Sequence, residues 1–159
     1  LLSDTGMRLA EAAGLAKEDV FLDTEIPYVK LCERPWRPLK TKSSERDVPL
    51  VGAALWAVKR AVESSPNAYL FPRYCSEQGC KADYASNSLN KWLRQHVQNG
   101  CVVHSFRHSM RDRLRAVECP SEIIDQLGGW VQLGTGAKYG SGFTHYETAR
   151  WCQRITLQP

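Results

Sequence analysis

The stretch His104-Ser105-Phe106-Arg107-His108-Ser109-Met110-Arg111-Asp112-Arg113-Leu114-Arg115-Ala116-Val117 decides the architecture. At 100° per residue, His104, Arg107, His108, Arg111 and Arg115 fall within about 100° of one another on a helix. Phe106, Met110, Leu114 and Val117 fall on the opposite side and must face a core. The result is an amphipathic helix whose polar face is almost entirely cationic. Such a face can simply be solvated, and His-x-x-Arg alone is a weak signal.

Working outward, the C-terminal side predicts a helix over residues 121–127, closed by Gly128-Gly129 and followed by Trp130. Gly134, Gly136, Gly140 and Gly142 then flank Tyr139, and Thr144 is placed to cap a last helix running to about Ile155. On the N-terminal side, residues 8–13 form a helix that Gly14 stops. Residues 20–22, 28–31 and 46–50 are short strands, with a turn at Lys42-Ser43-Ser44-Glu45 before the third. Residues 51–65 form a helix with Leu55, Val58 and Val62 on one side. Residues 69–72 read as an extended connector and 84–97 as a further helix. There is no internal repeat. These elements predict an α+β domain, mostly helical with a small three-stranded antiparallel sheet.

The 159 residues suit one domain, and a chain of this size buries about 70% of its unfolded surface without a staple. Apolar residues at 43% and charged residues at 24% exclude a disordered or collagen-like chain. No apolar run is long enough to span a membrane. Leu1-Leu2-Ser3-Asp4-Thr5-Gly6 lacks the basic start of a leader and reads as the middle of a domain, so a fragment of a longer protein is expected. The six cysteines (Cys32, Cys75, Cys80, Cys101, Cys119, Cys152) contain no Cys-x-x-Cys, and Cys101 with His104 finds no second pair for zinc. Scattered reduced thiols and no metal are the expectation.

The net charge of +4 is focused rather than spread. Residues 1–29 carry two basic and six acidic side chains. Residues 30–46 carry Lys30, Arg34, Arg37, Lys40, Lys42 and Arg46 against Glu33 and Glu45. Residues 104–115 add Arg107, Arg111, Arg113 and Arg115 against Asp112. Two cationic segments make a patch suited to a polyanion, with Arg37, Lys42 and Arg111 as candidate contacts to it.

Taken in order, Thr5-Gly6-Met7-Arg8-Leu9-Ala10-Glu11, the basic hairpin Leu39-Lys40-Thr41-Lys42 with its strand, His104-x-x-Arg107, Trp130 and Tyr139 resemble the tyrosine recombinase (phage integrase) family. The resemblance runs from Thr5 to about Ile155. Trp130 follows Arg107 by 23 residues and Tyr139 follows Trp130 by nine, the family's spacing. It implies a catalytic set of Arg8, Lys40, His104, Arg107, Trp130 and Tyr139, with Tyr139 as nucleophile. Trp130 stands where a histidine is commoner. Lys40-Thr41 matches the family's Lys-Thr pair, with Lys42 the alternative on the same hairpin. Tyr146 is the competing hydroxyl, at the wrong spacing from Trp130. Glu11 would hold Arg8 or another active-site group, and His108 would buttress its helix.

The chemistry of these residue types agrees. Attack on a phosphodiester drives charge onto non-bridging oxygens, which two guanidinium forks meet with bidentate, always-ionised hydrogen bonds. The family's 3′-phosphotyrosyl bond conserves the phosphodiester energy, so the resemblance implies no nucleotide cofactor and no metal. It further implies double-stranded DNA as partner and a cytoplasmic setting in bacteria, on a prophage or other mobile element. A homotetramer on paired sites is implied, with residues 1–159 alone as monomer. An N-terminal DNA-clamping domain and the first catalytic-domain helix would lie outside this sequence. Two rivals are a non-catalytic DNA-binding remnant and a type IB topoisomerase. The complete set argues against the first and the Lys-Thr hairpin against the second.

Overall fold

The computed structural model describes residues 1–97, 100–131 and 142–156. Two short helices, α1 (Leu2–Thr5) and α2 (Leu9–Ala13), lead into β1 (Val20–Phe21), β2 (Tyr28–Leu31) and β3 (Arg46–Pro49). After α3 (Gly52–Ser64) come the strands β4 (Cys75–Ser76) and β5 (Gly79–Cys80). The chain continues through α4 (Ala82–His96), α5 (Ser105–Ala116), α6 (Ser121–Gly128) and α7 (His145–Gln153). This is the expected mostly helical α+β domain.

The sheet is antiparallel in the order β1-β2-β3, with Val29 opposite both Val20 and Val48 and Leu31 opposite Arg46. Alternation along the strands sends Val29, Leu31 and Val48 inward, where they meet Met7, Leu15, Leu50 and the Ala54 and Val58 face of α3. A second core joins α5, α6 and α7 through Met110, Leu114, Ile123, Leu127, Ala149 and Cys152. Met110 and Leu114 are fully buried, as the periodicity of 104–117 requires. Gly6 lets α1 reach α5: it ends α1 at φ 59°, and a Cβ there would stand 2.8 Å from Met110 Sδ.

The expected and observed elements differ at several edges. Arg8 is the extended cap of α2 rather than its first helical residue, and α1 adds a helical turn before it. The helix expected from residue 84 begins at Ala82. β4 and β5 were not foreseen, because two-residue strands carry no readable period. Their pairing sets Cys75 opposite Cys80, so two thiols expected to be scattered are cross-strand neighbours, although all six cysteines are free. Burial pushes the Cys75 thiol up to about 11. The Thr144 cap is formed: Thr144 N–H donates to Glu147 Oε2 at 2.8 Å and Glu147 N–H to Thr144 Oγ1 at 3.3 Å. α7 ends at Gln153, two residues short of the expected end. Gly134, Gly136, Tyr139 and Gly140 lie outside the described residues. No described helix is long and apolar enough to cross a membrane.

Candidate active site

Arg8 caps α2 and bonds to it twice. Its N–H donates to Glu11 Oε2 at 2.9 Å and its Nη1 to Glu11 Oε1 at 2.7 Å. Nη1 also reaches Ser44 Oγ at 2.9 Å, on the basic connection between β2 and β3. Thr41 Oγ1 lies 2.9 Å from the same hydroxyl, tying the residue after Lys40 to Arg8.

Arg46 lies beneath this pair. It takes an inward position on β3 opposite Leu31, donates Nη2 to Glu11 Oε2 at 3.0 Å and Nε to the Leu127 carbonyl at 2.8 Å. Its Nη1 donates to the Ser44 carbonyl at 2.7 Å. Burial would push the Glu11 carboxyl up, but the charge of Arg46 and the hydrogen bonds from Arg46 and Arg8 hold it below its usual range. Glu11 thus holds two arginines. Sequence reasoning missed Arg46; the signal was an arginine on the inward face of a strand otherwise lined by Val48 and Leu50.

Arg107 is 4% exposed, although it belongs to the cationic face of α5. Its Nη1 donates to the Gly6 carbonyl and its Nη2 to the Gly128 carbonyl, bridging the end of α1 to the end of α6. Burial, reinforced by the charges of Arg8 and Arg46, pulls its guanidinium down to about 10. The Trp130 ring is flanked by two guanidiniums, Arg107 at 4.2 Å and Arg111 at 4.5 Å from its centre. Gly128 makes room for that ring: a Cβ there would come within 1.8 Å of Trp130 Cζ3.

His104 caps α5 and is exposed, with its ring 5.0 Å from that of His108 in an edge-to-face arrangement. Burial of part of the ring lowers its pKa, and His108, Arg107, Arg8 and Lys40 push in the same direction. The structure therefore brings Arg8, Lys40, His104, Arg107 and Trp130 to one place, with Glu11 and Arg46 behind them. Tyr139 lies outside the described residues. Tyr146, in the first turn of α7, is exposed.

Of the three side chains expected on a DNA backbone, Lys42 is exposed on the hairpin. Arg111 divides itself between the Trp130 ring and Asp125, 3.4 Å away. Arg37 is a correction. It is 1% exposed, and its two Nη atoms donate to Asp19 Oδ2 at 2.8 Å and to the Gly14 and Cys32 carbonyls. Its charge is already met by the buried Asp19 carboxylate, which leaves none to spare for a phosphate. Among the described residues, no three His, Cys, Asp or Glu side chains gather as a metal ion would require.

Two guanidiniums, a histidine and an indole gathered at one place are groups whose chemistry suits an anion. Residues 1–144 match the phage integrase family, and the chain belongs to that family. Among solved structures it is similar to the Tn1549 transposon integrase in complex with circular intermediate DNA, at 18% identity and TM-score 0.59, over 94% of this chain and 53% of that one. XerA recombinase is similar at 17% identity and TM-score 0.60, over 99% and 49%. XerH site-specific recombinase bound to difH substrate follows at 17% and 0.52, over 94% and 43%. At these identities the likeness is one of fold, that of tyrosine recombinase catalytic domains. The chain spans about half the length of these structures. No curated protein matches it in sequence.

Proposed function

We propose that residues 1–159 form the catalytic domain of a site-specific DNA recombinase, the integrase of a mobile element, working through a 3′-phosphotyrosyl intermediate. The convergence of Arg8, Lys40, His104, Arg107 and Trp130 carries this proposal. Tyr139 Oη gives up its proton to solvent and attacks the phosphorus, the bond to the 5′-oxygen breaks, and Lys40 gives that oxygen a proton. Arg8 and Arg107 take up the charge growing on the non-bridging oxygens, with the Trp130 N–H and His104 as further donors. The 5′-hydroxyl of a partner strand then attacks the phosphotyrosine and releases Tyr139. Guanidiniums supply the charge stabilisation throughout, so no step is assigned to a metal or nucleotide.

Double-stranded DNA is the proposed partner, as the Tn1549 integrase and XerH structures are complexes with DNA. Work on a bacterial chromosome would place the protein in the cytoplasm, and exchange between two duplexes calls for a tetramer at the paired sites. The test is covalent capture on pooled duplexes of randomised sequence, each carrying a 5′-bridging phosphorothiolate that traps the cut strand. Wild type should form an adduct mapped to Tyr139 by mass spectrometry, and Tyr139→Phe should form none. Capture by Tyr139→Phe but not by Tyr146→Phe would move the nucleophile to Tyr146.

A further inference from the structure

Gln126 stands on the last turn of α6, four residues before Trp130. Its Oε1 accepts from the Phe143 N–H and its Nε2 donates to the Phe143 carbonyl, each at 2.8 Å. One side-chain amide thus answers both backbone groups of a single residue, a rung of β-ladder made by a side chain. The adjoining Gly142 has φ 75°, and a Cβ there would come within 2.9 Å of Gln126 Oε1. Backbone turn, glycine and amide therefore agree on one approach of the chain. The contact borders a cleft of about 480 Å³, and the Phe143 side chain packs against the second core.

We infer that Gln126 is a positioning residue for strand cleavage: it fixes the backbone at Phe143, four residues past Tyr139 in the sequence, and so fixes the position from which the nucleophile is tethered. This rests on the proposed role of Tyr139. An attacking hydroxyl must meet the phosphorus in line, and misplacement by about 1 Å costs about 10² in rate. The amide holds both backbone groups of Phe143, while its side chain packs on the second core.

Glutamate has the same shape as glutamine and supplies a switchable test. As a carboxylate it accepts from the Phe143 N–H but sets its second oxygen against the Phe143 carbonyl. Protonated, it regains the donor. The charged groups around this contact are Glu45, Arg46 and Asp47 on and beside β3, His145 on α7, and the Arg111–Asp125 pair. All of them are shared by wild type and variant, so the ratio of their pH profiles isolates residue 126.

The experiment follows adduct formation on the phosphorothiolate pool between about pH 5 and 8.5, with hydrogen exchange at the Phe143 amide as a second readout. At the alkaline end Gln126→Glu should be about 10–100-fold slower than wild type, recovering to within about threefold at the acid end. Gln126→Ala should be slow throughout, and both variants should bind DNA like wild type. Phe143 should be protected in wild type, and in Gln126→Glu only in acid. A Gln126→Glu profile parallel to wild type, or a loss accompanied by equal loss of DNA binding, overturns the inference. Absence of any wild-type adduct with Phe143 still protected overturns the role of Tyr139 and this one with it. A wild-type adduct unaffected by either substitution overturns this one alone.

Discussion

Glu11 Oε2 receives Arg46 Nη2 at 3.0 Å while Glu11 Oε1 receives Arg8 Nη1 at 2.7 Å, so the half-buried Arg8 is held by a carboxylate that a buried arginine holds in turn. Glu11→Gln keeps the shape and removes the charge, leaving Arg46 buried without its counter-ion. Urea unfolding should show a loss of roughly 3–5 kcal/mol. The folded Glu11 carboxyl sits below its ordinary value, so its contribution is complete above pH 4.5 and disappears as pH falls through the lowered folded value. Wild-type stability should fall in that acid window, and that of Glu11→Gln should fall less. A variant as stable as wild type would show that the carboxylate is dispensable.

Arg107→Lys keeps a charge and loses the fork that spans the Gly6 and Gly128 carbonyls and faces the Trp130 ring. Adduct formation should fall about 10²–10³-fold, with a much smaller change in DNA affinity. Equal losses in binding and cleavage would make Arg107 a docking residue.

Gly128→Ala puts a methyl group where the Trp130 ring lies. The variant should lose about 1–3 kcal/mol of stability. Trp130→Ala should recover most of that loss when the two are combined, because it empties the contested space. Additive losses in the double variant would show that the ring and Gly128 do not compete.

His104 has a lowered pKa from partial burial and four cationic neighbours, and a bound phosphate removes part of that pressure. DNA binding should therefore take up a proton, and affinity should rise as pH falls below about 6.5. His104→Gln should flatten this dependence. An affinity independent of pH in wild type would contradict it.

DNA affinity should also fall steeply with salt, since each phosphate neutralised by Lys40, Lys42 or their neighbours releases counterions. Arg37→Gln should leave the slope of that dependence unchanged and cost stability instead, because its partner is Asp19. A shallower slope in Arg37→Gln would return that side chain to the DNA surface.

The helix over Ser105–Ala116 was legible because four apolar residues at helical spacing leave one arrangement, and the sheet because Val29, Leu31 and Val48 alternate. Arg37 was misread because a local count of charge contains nothing about Asp19, which lies 18 residues earlier and meets it only in the folded chain. Arg46 escaped because charge normally marks surface, and this guanidinium is buried against Glu11, the residue that was read as holding Arg8 or another active-site group. Gly128 reads in sequence as a helix end, yet its absent side chain is what the Trp130 ring occupies. Gln126 gave no sign at all, since an amide paired with a backbone 17 residues away leaves no pattern.

Arg113 reaches from α5 to the Ser3 carbonyl, to Asp4 at 3.3 Å and to the Ile155 carbonyl just beyond α7. One side chain thus works as a tie rod between the helical turn leading to Arg8 and the helix that follows the Tyr139 segment. It fastens the end of α7 to Ser3 and Asp4, five and four residues before the arginine that would receive the phosphate. The seat of the last helix and the turn that leads to the first guanidinium therefore share a single arginine as their common partner.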